Sequence, residues 1–373
     1  MINESIIKND ERAVFELREL YRQYGYSRFK MSRFEEYDLY VKNKDFLVSD
    51  EVITFTDKNG RLMALKPDVT LSIIKNTVDK PGFIQKVYYN ENVYRVSKGT
   101  HSFKEIMQAG LECIGDIHSY EIAEVVLLAV KSLSLMHRNF VLDLSHIGLV
   151  AAMLEDSGLS YEGKGAAHSF LHQKNSHELR AVCMQENIPE AKTEKLCALV
   201  DFCGEPKEVL EKISAFITSD KEKEAFEELK SLCDIIENSG FSKSVIIDFS
   251  VGNDMKYYSG VVFKGYLEGI PTSILSGGQY DKLLKKMSRT SGAIGFALYL
   301  DLLEQFDNMA EGYDVDTVLL YDADCNPLTL TDAVNELAKD TSIRVCTTIP
   351  SRLKYRKLVK LTDGRLETLE NNG

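Results

Sequence analysis

The amino-acid sequence predicts an α+β fold: a sheet core with flanking helices, a helical insertion and a small C-terminal α/β unit. Three observations predict it. Short strand-like stretches recur within residues 51–114 and return within residues 244–275. Residues 146–240, between them, are rich in helical patterns and poor in strand patterns, and the final 60 or so residues run strand, helix, strand. Strands and helices grouped in this way are typical of α+β proteins rather than of doubly wound sheets.

The chain begins with a predicted helix and an antiparallel hairpin. Residues 11–24 carry apolar side chains at steps of three and four, which predicts an amphipathic helix. Residues 51–56 and 61–65 alternate apolar and polar residues on either side of the sequence DKNG, whose Asn-Gly pair supplies the positive φ of a tight turn. A further helix is expected over residues 71–77.

The next stretches predict strands that present polar side chains. Residues 86–90 and 92–96 read as strand, followed by a polar loop at 97–102 and a strand at 106–114. Because side chains alternate along a strand, one face of this last strand should carry three residues: Gln108, Gly110 and Glu112. A long helix follows over residues 120–138.

After the helical insertion, the sheet resumes and a separate small unit follows. Strands are predicted at 244–249, 257–263 and 272–275, then a turn at Gly277 and Gly278, a helix at 281–287 and a last helix that ends near residue 306. The tail reads as a strand at 315–321, a helix at 330–339 and a strand at 343–347. We therefore expect a core domain of residues 1–310, with its insertion at about 150–240, and a small domain of residues 311–373.

Composition excludes several classes of protein. The 57 acidic and 45 basic residues give a formal charge of −12, which argues against a broad surface for nucleic acid or an anionic membrane. The longest apolar run, residues 147–154, is far shorter than the ~18 residues of a membrane span. The N-terminus shows no secretory signal, and the seven cysteines include no C-x-x-C pair. We expect a soluble cytoplasmic protein with reduced thiols.

Metal and nucleophile chemistry finds little support. His168 and His172 are four residues apart, as two ligands on one helix face would be, but no glutamate follows the first and no third ligand is evident. Ordinary surface or partly buried histidines are the favoured interpretation. The sequence contains no G-x-S-x-G, P-loop or G-x-G-x-x-G motif. Neither a metal nor a cofactor is expected.

A set of polar residues on strands and strand ends remains to be explained. Inward-facing polar side chains are costly unless they pair with one another or with a ligand. Carboxylates can bind an ammonium group, and amides or phenols can bind a ring nitrogen, so the set suits a small zwitterion or an imidazole. Each residue alone could equally be a satisfied structural hydrogen bond, and the pattern leaves the ligand open. The set comprises Asp68, Arg95, Gln108, Glu112, Tyr258 and Tyr280, with Gly110, Gly277 and Gly278.

At these residues the chain resembles the catalytic core of histidyl-tRNA synthetase, a class II aminoacyl-tRNA synthetase, over about residues 10–306. The sequence LKPDVT at 65–70 is similar to that family's L-R-P-E/D-x-T. NVYR at 92–95, followed by QAGLE at 108–112, resembles its motif 2 arginine and Q-x-G-x-E. YYSGVVF at 257–263 resembles the histidine-specific Y-Y-T-G-x-x-F/Y, and GGQYDKL at 277–283 resembles G-G-R-Y-D-x-L.

The resemblance implies an antiparallel class II sheet and a histidine pocket. By the match, the side chains that would line it are those of Asp68, Thr70, Gln108, Glu112, Tyr258 and Tyr280. With the motif 2 arginine and one glycine added, the expected histidine-binding set is Asp68, Thr70, Arg95, Gln108, Glu112, Tyr258, Gly278 and Tyr280.

Three departures from the synthetase motifs concern ATP. The family's R-x-E reads RVS at 95–97, so the acid is lost. Leu302 stands where the last motif has its ATP-clamping arginine, and Asn253 begins NDMKYY where the family has R-G-L-D-Y-Y. Adenylation draws its rate from cations around the phosphates, and replacing arginine by leucine removes a charge and five donors. An aminoacylating enzyme is therefore not expected.

A synthetase-like core that keeps the amino-acid pocket but lacks the ATP-binding residues is similar to the regulatory subunits of short-form ATP phosphoribosyltransferase. This resemblance implies a non-catalytic subunit that dimerises through its core and joins the catalytic subunit in a hetero-octamer. It would activate that subunit and mediate feedback inhibition by histidine in the first step of histidine biosynthesis, without binding tRNA. Two alternatives stay open: a divergent histidyl-tRNA synthetase-like ATP-dependent amino-acid ligase, and a synthetase-like module that serves another partner.

Overall fold

The computed structural model describes residues 7–44, 47, 52–97, 101–252, 257–303, 313–339 and 341–372. The chain divides into two compact units, Met1–Gln305 and Phe306–Gly373. The predicted domain boundary at 310 falls within residues 304–312, outside the described ranges. No helix in the described ranges is both long and apolar enough to cross a membrane.

The first unit begins with a helix and a small three-stranded sheet. Helix α1 (Asn9–Gln23) buries Ala13, Leu17 and Tyr21, which confirms the predicted amphipathic stripe. Its next elements are β1 (Ser27–Arg28), β2 (Phe34–Glu36), α2 (Tyr37–Lys42), β3 (Thr54–Thr56), β4 (Leu62–Leu65) and α3 (Thr70–Asn76). Strands β3 and β4 form the predicted antiparallel hairpin, and Gly60 in its turn has φ +80°.

A nine-stranded sheet is the core of this unit. Its remaining strands are β5 (Ile84–Val96), β6 (Phe103–Gly115), β7 (Phe140–His146), β8 (Cys203–Gly204), β9 (Val245–Asp248), β10 (Val261–Leu267), β11 (Leu275–Gln279) and β12 (Gly292–Tyr299). The spatial order is β1-β5-β6-β12-β11-β10-β7-β9-β8. All neighbours are antiparallel except β1 with β5 and β7 with β9. The predicted α+β class and its antiparallel core are confirmed.

The helices lie before, within and after the predicted insertion. They are α4 (Ser119–Met136), α5 (Ile147–Ser157), α6 (Tyr161–His172), α7 (Ser176–Gln185), α8 (Glu190–Asp201), α9 (Pro206–Ser214), α10 (Asp220–Asn238) and α11 (Asp281–Lys286). Helices α5 to α10 confirm the helical insertion. Within it, the Lys195 ammonium lies between α8 and α10 and donates to Thr218 Oγ1 at 2.7 Å. The same ammonium pairs with the fully buried Glu222 carboxylate.

The second unit is a four-stranded α/β structure. It consists of β13 (Val315–Tyr321), α12 (Pro327–Leu337), β14 (Ile343–Cys346), β15 (Tyr355–Thr362) and β16 (Arg365–Asn371), in the sheet order β14-β13-β15-β16. The predicted strand, helix, strand order is confirmed. The last two strands were not predicted, because their apolar side chains are interleaved with many charged ones.

The glycine pair at 277–278 does not form the predicted turn. Both residues lie inside β11, paired to β10 on one side and to β12 on the other. Gly-Gly is typical of turns, but here the absence of side chains permits close packing. A Cβ at Gly277 would lie 2.4 Å from Phe296 Cβ, and one at Gly278 would lie 2.7 Å from the Val261 carbonyl oxygen.

Other predicted boundaries are also wrong in detail. Residues 257–260 precede strand β10, which begins at Val261, and the strand predicted at 272–275 begins only at Leu275. The two strands predicted at 86–96 are one strand, β5. Within the described residues, the predicted last helix is a short 3-10 turn, Leu300–Leu303, that follows strand β12.

Candidate functional site

The predicted polar residues meet at one cavity on a face of the large sheet. The cavity has a volume of about 440 Å³ and lies over β6, β12, β11 and β10. Its size is within the range of small-molecule sites. Seven of the eight predicted site residues line it: Asp68, Thr70, Arg95, Gln108, Glu112, Tyr258 and Tyr280. The eighth, Gly278, lies beneath the Tyr258 ring, 2.8 Å from it if a Cβ is added.

Glu112 is the most enclosed acid of the cavity. It projects from β6 with 2% of its surface exposed, and Thr70 Oγ1 donates to its Oε1 at 2.7 Å. The Tyr280 hydroxyl donates to its Oε2. Burial raises the pKa of this carboxyl to about 8, although both hydroxyls oppose the rise. The carboxylate fits only because residue 295 is glycine, since a Cβ there would lie 1.8 Å from Oε2.

Asp68 is the second carboxylate and is only partly buried. It precedes α3, and the Leu71 backbone N–H donates to its Oδ1 at 2.9 Å. Arg95 on β5 steadies the same loop, because its Nε donates to the Pro67 carbonyl oxygen at 3.1 Å. Burial raises the pKa of Asp68, whereas the Leu71 N–H and the Arg95 charge lower it.

Aromatic rings form one wall of the cavity. The rings of Tyr257 and Tyr258 meet edge to face with centroids 4.7 Å apart, and those of Tyr257 and Tyr280 lie 5.9 Å apart. Such a wall can enclose a flat ring. Gln108 lines the cavity with 3% of its surface exposed, and its side-chain amide has no hydrogen-bond partner among the described residues. A buried amide in this state is available to a ligand.

Several lining residues were missed by the sequence analysis. Besides backbone and apolar contacts, they add a cation and four hydroxyl groups: Lys264, Tyr89, Ser273, Ser276 and Tyr299. They reach the same cavity as the predicted residues because of the order in which the strands pair. Strand alternation could have placed Tyr89 on the inner face of β5, but no local signal identifies the others.

The remaining positions singled out in the sequence lie elsewhere. His172 Nδ1 is 2.8 Å from the Ser250 carbonyl oxygen. Across the ranges that the structure describes, no group of three or more potential metal ligands occurs. Leu302 lies in the 3-10 turn after β12, and Asn253 lies outside the described residues.

Chemically, the cavity combines two carboxylates, an unpaired amide, phenols and two cations, Arg95 and Lys264. Carboxylates accept from an ammonium group or a ring N–H, and cations bind a carboxylate. The arrangement therefore matches a small amino acid with an N–H-bearing side chain better than it matches an uncharged ligand.

Comparison with known proteins agrees with this fold. The histidyl-tRNA synthetase family model matches residues 2–303. An ATP phosphoribosyltransferase regulatory subunit from Clostridium kluyveri is 30% identical over 319 residues, which cover 82% of this chain and 80% of that protein.

Two solved structures share the fold. An ATP phosphoribosyltransferase regulatory subunit/histidyl-tRNA synthetase from Bacillus halodurans has a TM-score of 0.75 at 24% identity, covering 94% of this chain and 93% of its own. A chain of the ATP phosphoribosyl transferase (HisG:HisZ) complex from Thermotoga maritima has a TM-score of 0.63 at 19% identity, covering 78% of this chain and 97% of its own. The predicted class II synthetase-like core is confirmed, and this chain belongs to the histidyl-tRNA synthetase family, among its ATP phosphoribosyltransferase regulatory subunits.

Proposed function

We propose that this chain binds histidine in the cavity and relays its presence to a separate catalytic subunit of short-form ATP phosphoribosyltransferase. The observation that carries the proposal is the pair of carboxylates at different depths, Glu112 enclosed and Asp68 nearer the surface. One molecule with a buried ring N–H and a more exposed ammonium group would satisfy both. Histidine is such a molecule.

The imidazole is assigned to the enclosed end. Glu112 is fixed there by Thr70 and Tyr280, so its oxygens cannot turn away from a ligand. A flat ring that donates one N–H suits this end, because the tyrosine rings cover its faces and the carboxyl accepts a hydrogen bond from the N–H. The ammonium group is assigned to Asp68 and to the side-chain oxygen of Gln108, both of which line the same cavity.

Feedback requires that histidine distinguish two states of the assembly. A ligand shifts an equilibrium only by its difference in affinity for the two states. We propose that the core forms homodimers, that these join the catalytic subunit in a hetero-octamer, and that histidine binds the inhibited arrangement more tightly.

In this proposal the chain does not catalyse amino-acid adenylation. The positions that would supply the ATP-binding acid and arginine are Ser97 and Leu302, which carry no charge. Transition-state stabilisation of a phosphoryl group depends on such charges. We propose that the phosphoribosyl transfer takes place in the partner.

Histidine-dependent exchange of pyrophosphate into ATP should be absent for the purified chain. The expected result follows from the missing charges around the phosphates. The measurement is incorporation of labelled pyrophosphate into ATP, with an authentic histidyl-tRNA synthetase as the positive control. Exchange above background would favour the ligase interpretation instead and remove the basis for a purely regulatory role.

The chain should assemble with a short catalytic subunit and increase its turnover, and histidine should reverse that increase. Mixing the two purified proteins and measuring mass in solution tests the assembly, and formation of phosphoribosyl-ATP tests the activation. Bovine serum albumin at equal concentration is the control for nonspecific stabilisation. Histidine binding without any assembly would indicate that the module serves another partner.

A further inference from the structure

A row of small side chains leads across the sheet from the carboxylate end of the cavity to a lysine. Gly110 on β6 is paired with Ala297 on β12, and Ala297 is paired with Ser276 on β11. Ser276 is paired in turn with Lys264 on β10. Directly paired residues project from the same face of a sheet. The small side chains leave the floor open, and Lys264 stands at its far edge.

Lys264 lines the cavity beside its cross-strand neighbour Asp143 without forming a close ion pair with it. Its partner across the β10–β7 pair is Asp143, yet among the described residues no ion pair joins Lys264 to any acid. Burial and the Asp248 charge raise the pKa of Asp143 to about 6, whereas the charges of Lys174 and Lys264 lower it. The lysine ammonium is thus a cation in the cavity wall that acts on Asp143 through its charge but is held in no ion pair among the described residues, so it can also bind a ligand.

Hydroxyl groups surround this edge of the cavity. Ser276 Oγ and the Tyr299 hydroxyl lie 3.4 Å apart, and Ser273 lines the cavity beside them. Each hydroxyl can donate one hydrogen bond to an anion. An ammonium with several hydroxyl donors is suited to a carboxylate, which offers about four lone-pair positions.

We propose that Lys264 binds the α-carboxylate of histidine and makes the cavity selective for the amino acid over its decarboxylated and reduced relatives. The inference rests on the proposed function, in which the ammonium and imidazole groups occupy the carboxylate end. A zwitterionic ligand needs an acid to bind its ammonium group and a cation to bind its carboxylate, and Lys264 is that cation.

The other cation of the cavity is less suited to this role. Arg95 already donates to Pro67, and its charge acts on Asp68. Its guanidinium therefore supports the loop that holds the ammonium-binding acid. The charge of Lys264 acts on Asp143, which does not line the cavity, so this lysine does not serve the ammonium-binding loop.

The test compares three ligands by calorimetry, using the full chain together with its catalytic subunit. L-histidine carries the carboxylate, L-histidinol has a hydroxymethyl group in its place, and histamine lacks it. The wild-type chain should prefer histidine over both analogues. Lys264→Gln should weaken histidine binding by about tenfold to a hundredfold, as loss of a charged hydrogen bond does, and leave histamine binding nearly unchanged. Lys264→Glu should favour histamine over histidine.

Arg95→Gln is the matched comparison, because it removes the other cation. It should weaken all three ligands together through the Asp68 loop and keep the preference for histidine. If Arg95→Gln removed that preference and Lys264→Gln did not, Arg95 would be the carboxylate partner and the assignment would be overturned. Histidine binding without preference over histamine would also overturn it, while leaving the proposed function intact. Absence of histidine binding to the wild-type complex would overturn both.

Discussion

Glu112→Ala is expected to abolish feedback inhibition by histidine and to weaken histidine binding by about a hundredfold or more. Truncating one member of a buried, hydrogen-bonded charged pair typically costs about 2–5 kcal/mol, and each 1.4 kcal/mol is a factor of ten. The carboxylate is the enclosed acceptor of the cavity, so no neighbouring side chain can replace it. The hydroxyls of Thr70 and Tyr280 would also lose their acceptor.

The measurement is a calorimetric titration with histidine, followed by inhibition of phosphoribosyl-ATP formation in the assembled complex. Glu105→Ala is the matched control, because Glu105 lies on the same strand but is exposed, and it accepts hydrogen bonds from Asn92 and Tyr94 outside the cavity. It should bind histidine as the wild type does. Thermal melting and co-elution with the catalytic subunit show whether the Glu112 variant is folded and assembled. Equal histidine sensitivity in both variants would mean that histidine is sensed elsewhere.

The part of the site that sequence could predict lies on single elements. Alternation along one strand placed Gln108, Gly110 and Glu112 on a common face, and the structure brings Gln108 and Glu112 to the cavity. The motif resemblance added residues from distant segments, such as Thr70 and Tyr280. Both signals can be read from the sequence: the first from the spacing of residues along one strand, the second from a family motif.

The part that could not be predicted depends on pairing between strands. Lys264 and Ser276 belong to the cavity because β10 lies beside β11, and β11 beside β12. Nothing in the local sequence states that order. The turn predicted at Gly277 and Gly278 is wrong for the same reason, since these glycines make room for Phe296 and Tyr258 from other segments rather than bend the chain.

Replacing Glu112 by glutamine should stabilise the ligand-free chain at alkaline pH. The carboxyl has a pKa of about 8 in the folded state against 4.5 for an ordinary glutamate. Between these values the folded chain keeps a proton that the unfolded chain has lost, so the free energy of unfolding falls as pH rises. At about 1.4 kcal/mol per pH unit, the loss accumulates to as much as ~4 kcal/mol at pH 8. Glutamine has no charge to bury and escapes this loss.

The quantity to measure is the difference in free energy of unfolding between Glu112→Gln and wild type, from urea denaturation at several pH values. It should grow in favour of the variant from pH 5 to pH 8. Asp143→Asn is the control, because the pKa of Asp143 is about 6 and its own difference should level off above that pH. A difference that stays constant with pH would show that Glu112 is already ionised in the empty cavity.

The same carboxyl connects the stability of the empty chain to its response to histidine. An acid that burial keeps protonated becomes a better acceptor for an imidazole N–H once it ionises, so histidine binding should release a proton near pH 7. Titrations in buffers of different ionisation enthalpy would reveal that proton, and Glu112→Gln should not release it. Burying an ionised carboxyl destabilises the chain while the cavity is empty. Histidine binding would recover part of that free energy. Histidine would then be sensed through the Glu112 carboxyl, a group whose buried charge the empty fold does not compensate.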